Sequence, residues 1–379
     1  MAARFWVGGA GTWDALSTAN WSATSGGAAG ATAPTILDTA TFDGNSGSGV
    51  VSVASTAVSL STTVNNANIN LSLTGSPMLC TAAGTLTLTT GTITLNTFTL
   101  TCGIFSSTSS STRSIAFGTG KFNITGNNAT VWTTATVTGF SYTGTPTVEF
   151  TYAGATGTRS IRHASSGGGT AANSPDFYFK SGTDTINFLN FCKVLDFTGF
   201  SGTLLNQVRT YFGNVVYSSG MTLTAGTSAT TFGSTSGTQQ ITTAGKTLDF
   251  PLTFNGVGGT FAFQDALTQG STRAFTITNG TVQLKAGVTS TAGSFATSGT
   301  NQKFLQSTLA GSRATLSQAS GTVSVSRLTI KDINATGGAT WQAFTTNNNI
   351  DAGNNLGWDF SSQIGRYIYT RRKNKRILP

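Results

Sequence analysis

Acid is what this chain lacks most. Among 379 residues there is one glutamate, Glu149, and one histidine, His163, and charged residues make up only 9% of the whole. An average soluble protein carries roughly 25%. Strong helix formers are correspondingly scarce, which argues against a helical protein. No run of about 18 apolar residues occurs, so no membrane-spanning helix is expected. The opening Met1-Ala-Ala-Arg4-Phe5-Trp6 has no apolar core of the kind a signal peptide needs, so synthesis in a cytoplasm is expected. The three cysteines, Cys80, Cys102 and Cys192, form no CxxC pair. They are expected to be free and packed, with Cys80–Cys102 as the one bridge worth considering.

In place of charge the chain has threonine, serine, asparagine and 47 glycines. Threonine is β-branched and suits a pleated surface, and glycine supplies turns. Such a composition could also describe a disordered chain. The 25 phenylalanines and six tryptophans argue against that, because disordered segments are poor in aromatics.

The middle of the chain reads as short strands. From Gly84 to Thr101, Leu86 and Leu88 alternate with threonine, and so do Ile93 and Leu95 after Gly91. Phe98 and Leu100 follow Asn96-Thr97. The period is two within each piece and slips at each glycine or asparagine. Short pieces with corners between them suit the coils of a solenoid, and equally the hairpins of an antiparallel sandwich.

Internal repetition favours the solenoid. Ser111-Thr-Arg113-Ser-Ile115-Ala-Phe117-Gly-Thr-Gly120-Lys-Phe122-Asn-Ile124 aligns with Ser271-Thr-Arg273-Ala-Phe275-Thr-Ile277-Thr-Asn-Gly280-Thr-Val282-Gln-Leu284. A third copy runs from Ser312-Arg313 through Leu316 and Gly321 to Val323 and Val325, and a weaker start stands at Thr158-Arg159-Ser160-Ile161. A unit of this size cannot bury its apolar face alone, so stacking on neighbours is the natural solution. The irregular spacing predicts coils of varied length. The segment from Asp176 to Leu205 is rich in phenylalanine and predicts central coils with a stacked aromatic core.

The two ends differ from the middle. Trp6, Trp13 and Trp21 crowd the start, and Trp341 and Trp358 sit near the other end. Solenoid ends need covering, and large aromatics could serve as caps. Beyond them, Arg366, Arg371, Arg372, Lys373, Lys375 and Arg376 place six of the net +9 charges in one short stretch, leaving +3 for the rest. Tyr367 and Tyr369 alternate there with other residues, which suggests an arm that packs on a partner. Six cations could also bind phosphates without sequence preference, but nucleic acid is the weaker reading.

Chemistry is hard to find. A lone His163 between Arg162 and Gly-rich sequence reads as a loop residue, since a triad or a zinc site would need partners. No catalytic residue, cofactor or metal is expected. Glycoside cleavage usually needs two carboxylates at a set separation. Of the 12 acids, Asp176, Asp184 and Asp196 are the ones that could converge on adjacent coils. Each could equally serve as a turn residue bonded to backbone. No GxxxxGK[ST] phosphate loop is present.

The stretch Arg4-Phe5-Trp6-Val-Gly8-Gly9-Ala-Gly11-Thr12-Trp13-Asp14, followed by Asn20-Trp21-Ser22 and Asp38-Thr39-Ala40-Thr41-Phe42-Asp43, resembles the openings of structural proteins of tailed bacteriophages. It is also similar to β-strand repeats of autotransporter passengers. The stretch Leu328-Thr-Ile330-Lys331-Asp332, with Trp341 and Asp351-Ala-Gly353-Asn354-Asn355-Leu-Gly357-Trp358-Asp-Phe360, resembles the last coil and cap of phage β-helix proteins. The resemblance implies a virion structural protein: a tail fibre, a spike or a head decoration. Its expected partners are capsid, portal or tail proteins and copies of itself, with a homotrimer favoured and a host-surface glycan as a further contact. It supplies no catalytic residues. A signal peptide and a membrane barrel, which an autotransporter would carry, are not seen.

The expected fold is therefore all-β, mainly a parallel β-helix, with an antiparallel β-sandwich as the alternative. The expected layout is an N-terminal cap at 1–49, a stacked body at 50–344, a closing motif at 345–360 and a basic docking arm at 361–379. The expected role is a non-enzymatic virion component made in the host cytoplasm. Two alternatives accompany it: a glycan-binding or polysaccharide-degrading tailspike, and a bacterial surface adhesin.

Overall fold

A computed structural model describes residues 1–362. It is all-β, with 47% strand and 1% helix, and its strands form a parallel β-solenoid of about 14 turns. The solenoid expectation holds, and the sandwich alternative falls. Two compact units make up the chain, one of Met1–Arg209 with Gly220–Thr222, the other of Thr210–Ser219 with the chain from Leu223 on.

The first unit stacks its coils on three faces. On one, Leu86, Phe105, Trp132, Ile161 and Phe188 lie in register, one per coil. On the second, Val51, Leu71, Ile93, Ile115 and Tyr142 do the same. On the third, Leu100, Phe122, Val148, Phe177 and Leu195 align. All of these but Tyr142 are fully buried apolar side chains of the core. Each buried Leu or Phe contributes about 1.5–3 kcal/mol by leaving water. The threonines between them point outward, so the period of two seen in the sequence is the inside–outside alternation of the coils.

Coil length varies, as the irregular repeats predicted. Neighbouring coils are offset by 22 residues where Thr92 meets Ser114, and by 29 where Thr134 meets His163. The phase slip at Gly91 is a local irregularity inside one strand, Thr85–Thr94. Val64 pairs with Leu88 and Asn65 with Thr90, after which the register jumps to Asn70 with Thr92. Gly91 takes φ 103°, and a Cβ there would meet the Asn66 carbonyl oxygen at 2.5 Å. Only glycine fits such a corner.

The second unit uses the same parallel pairing. Phe261, Val282, Leu305 and Ile330 form one buried column. Beside it runs a chain of rings. Phe232 and Phe254 stack with centroids 5.0 Å apart and planes 8° apart, and Phe254–Phe275 and Phe275–Phe295 follow at 5.0 and 5.5 Å. The first unit has its counterpart in Phe150, Phe179 and Phe197, each 4.7 Å from the next. Those rings bear out the aromatic core expected from Asp176 to Leu205.

Outward side chains also stack. Asn279 donates to Asn255 at 2.7 Å and accepts from Asn301 at 2.8 Å. In the first unit Thr151 donates to Asn123 at 2.6 Å, which reaches on to Thr101 at 3.4 Å.

The tryptophans are placed as follows. Trp6, Trp13 and Trp21 are fully buried and cluster around Phe42, with all four rings within 5.7 Å of a neighbour. Ala3–Trp6 runs antiparallel to Trp21–Ser22 there, setting Trp6 opposite Trp21. In the second unit Trp341 and Trp358 are register partners, 4.9 Å apart. No helix among the described residues is long and apolar enough to cross a membrane.

Candidate functional site

The repeated arginine comes first, because it is the most chemical feature of the repeat. Each copy sits at the start of a strand or just before it, where a coil turns a corner. In the first unit Arg113 is buried without a carboxylate. Its Nε donates to Ser107 Oγ at 2.6 Å, Nη1 to the carbonyls of Ser111 and Thr138 at 3.0 Å, and Nη2 to the carbonyl of Thr136 at 2.6 Å. The Phe140 ring lies 4.8 Å away. Burial lowers the Arg113 pKa, but the guanidinium stays charged, and its donors pin the carbonyls of Ser107, Ser111, Thr136 and Thr138. Arg159 grips Asp184 through both oxygens at 2.7 and 2.8 Å, with both side chains fully buried.

In the second unit Arg273 meets Asp249 at 2.7 Å with both groups partly exposed, and Arg313 donates to the Asn354 carbonyl at 2.9 Å. These arginines staple corners to neighbouring coils.

The three aspartates do not converge as one site. Asp184 is spent on Arg159 inside the coil. Asp176 and Asp196 do lie on successive coils, whose strands pair Phe177 with Leu195 and Tyr178 with Asp196. Asp176 is 6% exposed and accepts the Val194 N–H at 3.2 Å. Burial pushes its carboxyl up, opposed by the nearby Lys193 charge. Asp196 holds a turn through the Thr198 N–H at 2.7 Å, the turn role that was the alternative for it.

An outward row missed from the sequence passes through Asp196. Glu149, Tyr178 and Asp196 are register partners on three successive coils, so Glu149 and Asp196 stand roughly 9–10 Å apart at the strand spacing. That is the outer edge of the separation used for inverting glycoside cleavage. The row is, however, internally satisfied. Lys121 lies 2.7 Å from Glu149, and Lys180 sits 4.8 Å over the Tyr178 ring between the two acids. The Tyr178 hydroxyl is pushed up by burial first and by Asp176, Asp196 and Glu149 after it. The carboxyl that burial does push toward its protonated form, Asp176, is covered, at 6% exposure, on the same side of its strand as Tyr178. The row forms a polar strip on the outer side of three successive coils.

His163 is a correction. It is a buried strand residue at the end of Thr158–His163, not a loop residue. Its Nδ1 lies 2.7 Å from Thr134 Oγ1, which also accepts the Trp132 indole N–H at 3.2 Å. The Tyr142 hydroxyl is buried nearby, its ring 6.3 Å from the imidazole. Burial drives the imidazole down to about 4, so it is neutral near pH 7. Nothing in the sequence signals this, because Thr134 is 29 residues away on the preceding coil.

Cys80, Cys102 and Cys192 are buried and unbridged, as expected. Burial raises the Cys102 and Cys192 thiols well above their usual range, and the Cys80 thiol beside Cys102 adds to the rise there. All three are packed in the core. Among the described residues no group of three or more His, Cys, Asp or Glu side chains is placed to hold a metal ion. The expected docking residues, Arg366, Tyr367, Tyr369, Arg371, Arg372, Lys373, Lys375 and Arg376, lie outside the described residues. Comparison with protein-family models, with curated proteins and with solved structures finds no match.

Proposed function

We propose that this chain is a structural component of a bacteriophage virion, a tail fibre, spike or head decoration, and that it works by rigidity. One observation carries the reading. The chemically capable side chains of the coils are largely spent on the coils themselves: Arg113 on carbonyls, Arg159 on Asp184, Asp196 on its turn, Glu149 on Lys121. A fold invested this way resists deformation and leaves little for catalysis. Support also comes from the phage-like stretches at both ends and from a surface of threonine, serine and asparagine with little charge to oppose association. In this reading the two tryptophan clusters cap the stack, and the basic arm anchors the protein to capsid, portal or tail neighbours.

The test compares purified particles made with the full chain and with a chain ending at Phe360, by cryo-electron microscopy and quantitative mass spectrometry. The expected result is ordered density for the full chain and its loss on truncation. Intact particles that lack the protein would end the virion reading. A polysaccharide-binding tailspike is the second reading, and the outward row Glu149–Tyr178–Asp196 is what favours it.

A further inference from the structure

The second unit carries a polar hollow of about 190 Å³ on its outer surface. Three coils build it. Gln283 stands opposite Gln306, and Gln306 opposite Lys331, in one outward row. Thr308 and Asp332 line it as well. The volume equals about six water molecules, well below a drug-sized pocket and close to a single hexose ring.

What separates this hollow from the outward row of the first unit is that its donors are unspent. Among the described residues the side chains of Gln283 and Gln306 make no hydrogen bond, and Lys331, whose charge helps hold the Asp332 carboxyl down, makes no direct hydrogen bond or salt bridge. Asp332, by contrast, is already engaged by Asn354 Nδ2 at 2.6 Å and the Gly311 N–H at 3.1 Å, so it forms wall rather than ligand. Two residues before Gln306 on the same strand, Phe304 is 40% exposed on the same outward side. Strand geometry puts it roughly 7 Å along.

We infer that this hollow binds one carboxylate-bearing sugar residue. Each free amide offers a donor and an acceptor, the pairing that neighbouring sugar hydroxyls need. The Lys331 ammonium answers a carboxylate as a point charge. The exposed Phe304 ring offers an apolar face to the C–H side of the sugar. The inference does not depend on the virion reading, since a glycan site on a solenoid stands or falls on the hollow alone.

The test uses the full chain and ligand-observed NMR titration with sodium D-glucuronate, D-glucose and sodium acetate. Saturable glucuronate binding is expected, with glucose roughly tenfold weaker for want of the charged hydrogen bond. Lys331→Gln should bring glucuronate down to the glucose level, and Gln306→Ala should weaken both sugars. Tyr178→Ala, in the first unit, should change neither. All three side chains face outward, so unchanged thermal unfolding serves as the check on folding. No saturable glucuronate binding, or binding indifferent to both hollow variants, overturns the site. Acetate binding as tightly as glucuronate overturns the sugar assignment.

Discussion

The two units write the same repeat and use it differently. In the first, the repeated arginines Arg113 and Arg159 turn inward and are buried. In the second, Arg273 stays partly exposed beside Asp249, and Arg313 reaches an exposed carbonyl. The interiors differ to match. The first unit buries an ion pair, a histidine and a tyrosine hydroxyl among its rings. The second relies on its run of phenylalanines and on amides such as Gln269, which bonds the carbonyls of Phe250 and Ala274. A local motif therefore sets where an arginine stands along a coil, but not whether water reaches it. Between pH 7 and 4.5 the first unit, with its buried His163, should respond more than the second, whose buried charges are Lys303 and Asp332.

The largest effect should come from the counter-ions of the two arginines. Asp184→Ala leaves Arg159 buried with no opposite charge and should destabilise the first unit by about 3–5 kcal/mol. Asp249→Ala removes a partly exposed partner and should cost no more than about 1 kcal/mol. Denaturant unfolding, with hydrogen exchange to locate the loss, reads both. The double change Arg159→Met with Asp184→Leu should recover most of the stability, because an apolar pair of similar volume needs no desolvation of charge. Equal losses for the two single variants would erase the distinction between the units.

Next in size is the pH response of His163. Its folded pKa, about 4, lies below the ordinary 6.5, so the fold favours the neutral ring and the unfolded chain takes up the proton first. Stability is fully present above about pH 6.5, falls as pH drops toward 4, and levels off below that. The total is about 3 kcal/mol at 1.36 kcal/mol per pKa unit. Asp176, raised by burial, works in the opposite sense, since its protonated form is the one the fold prefers. Hydrogen exchange at pH 7 and pH 4.5 should show the first unit loosening while the second holds. In His163→Gln the difference between the two pH values should shrink. A second unit that loosens equally would show that the response is not the histidine's.

Much of this architecture was legible in the sequence. Threonine alternating with Leu, Ile and Phe marked strands with one face in, and the slip at Gly91 marked a real jump of register. The repeat located arginines that do staple coils. What could not be read was everything that depends on coil length. His163 looks like a loop residue because it stands beside Arg162 and before Gly-rich sequence, while its partner Thr134 lies one coil back. Asp184 looked like a free acid because Arg159 is 25 residues away. Glu149 with Tyr178, and Gln283 with Gln306 and Lys331, come together only through stacking, and no local motif marks them. Their one visible signal is a polar residue between two buried positions of a strand, which most threonines share.

The smallest predicted effect tests the surfaces, where the two units should behave alike. Asn279 bridges Asn255 and Asn301 on the second unit, and Asn123 bridges Thr101 and Thr151 on the first. The Asn279 bonds are exposed and the Asn123 bonds part-buried, so water competes for the donors and acceptors of both. A hydrogen bond is worth about 0.5–1.5 kcal/mol net, and exposed ones fall at the low end. Asn279→Ala and Asn123→Ala should therefore each cost less than about 1 kcal/mol in denaturant unfolding, and by similar amounts. Asn279 has two bonds of 2.7 and 2.8 Å where Asn123 has one of 2.6 and one of 3.4 Å, which gives Asn279 at most a small excess. If Asn279→Ala instead cost as much as Asp184→Ala, the second unit would owe its stability to an outer polar ladder. Its phenylalanine column would then be filling, and the contrast between a charge-stapled unit and a ring-packed one would have to be redrawn as one between inner and outer ladders.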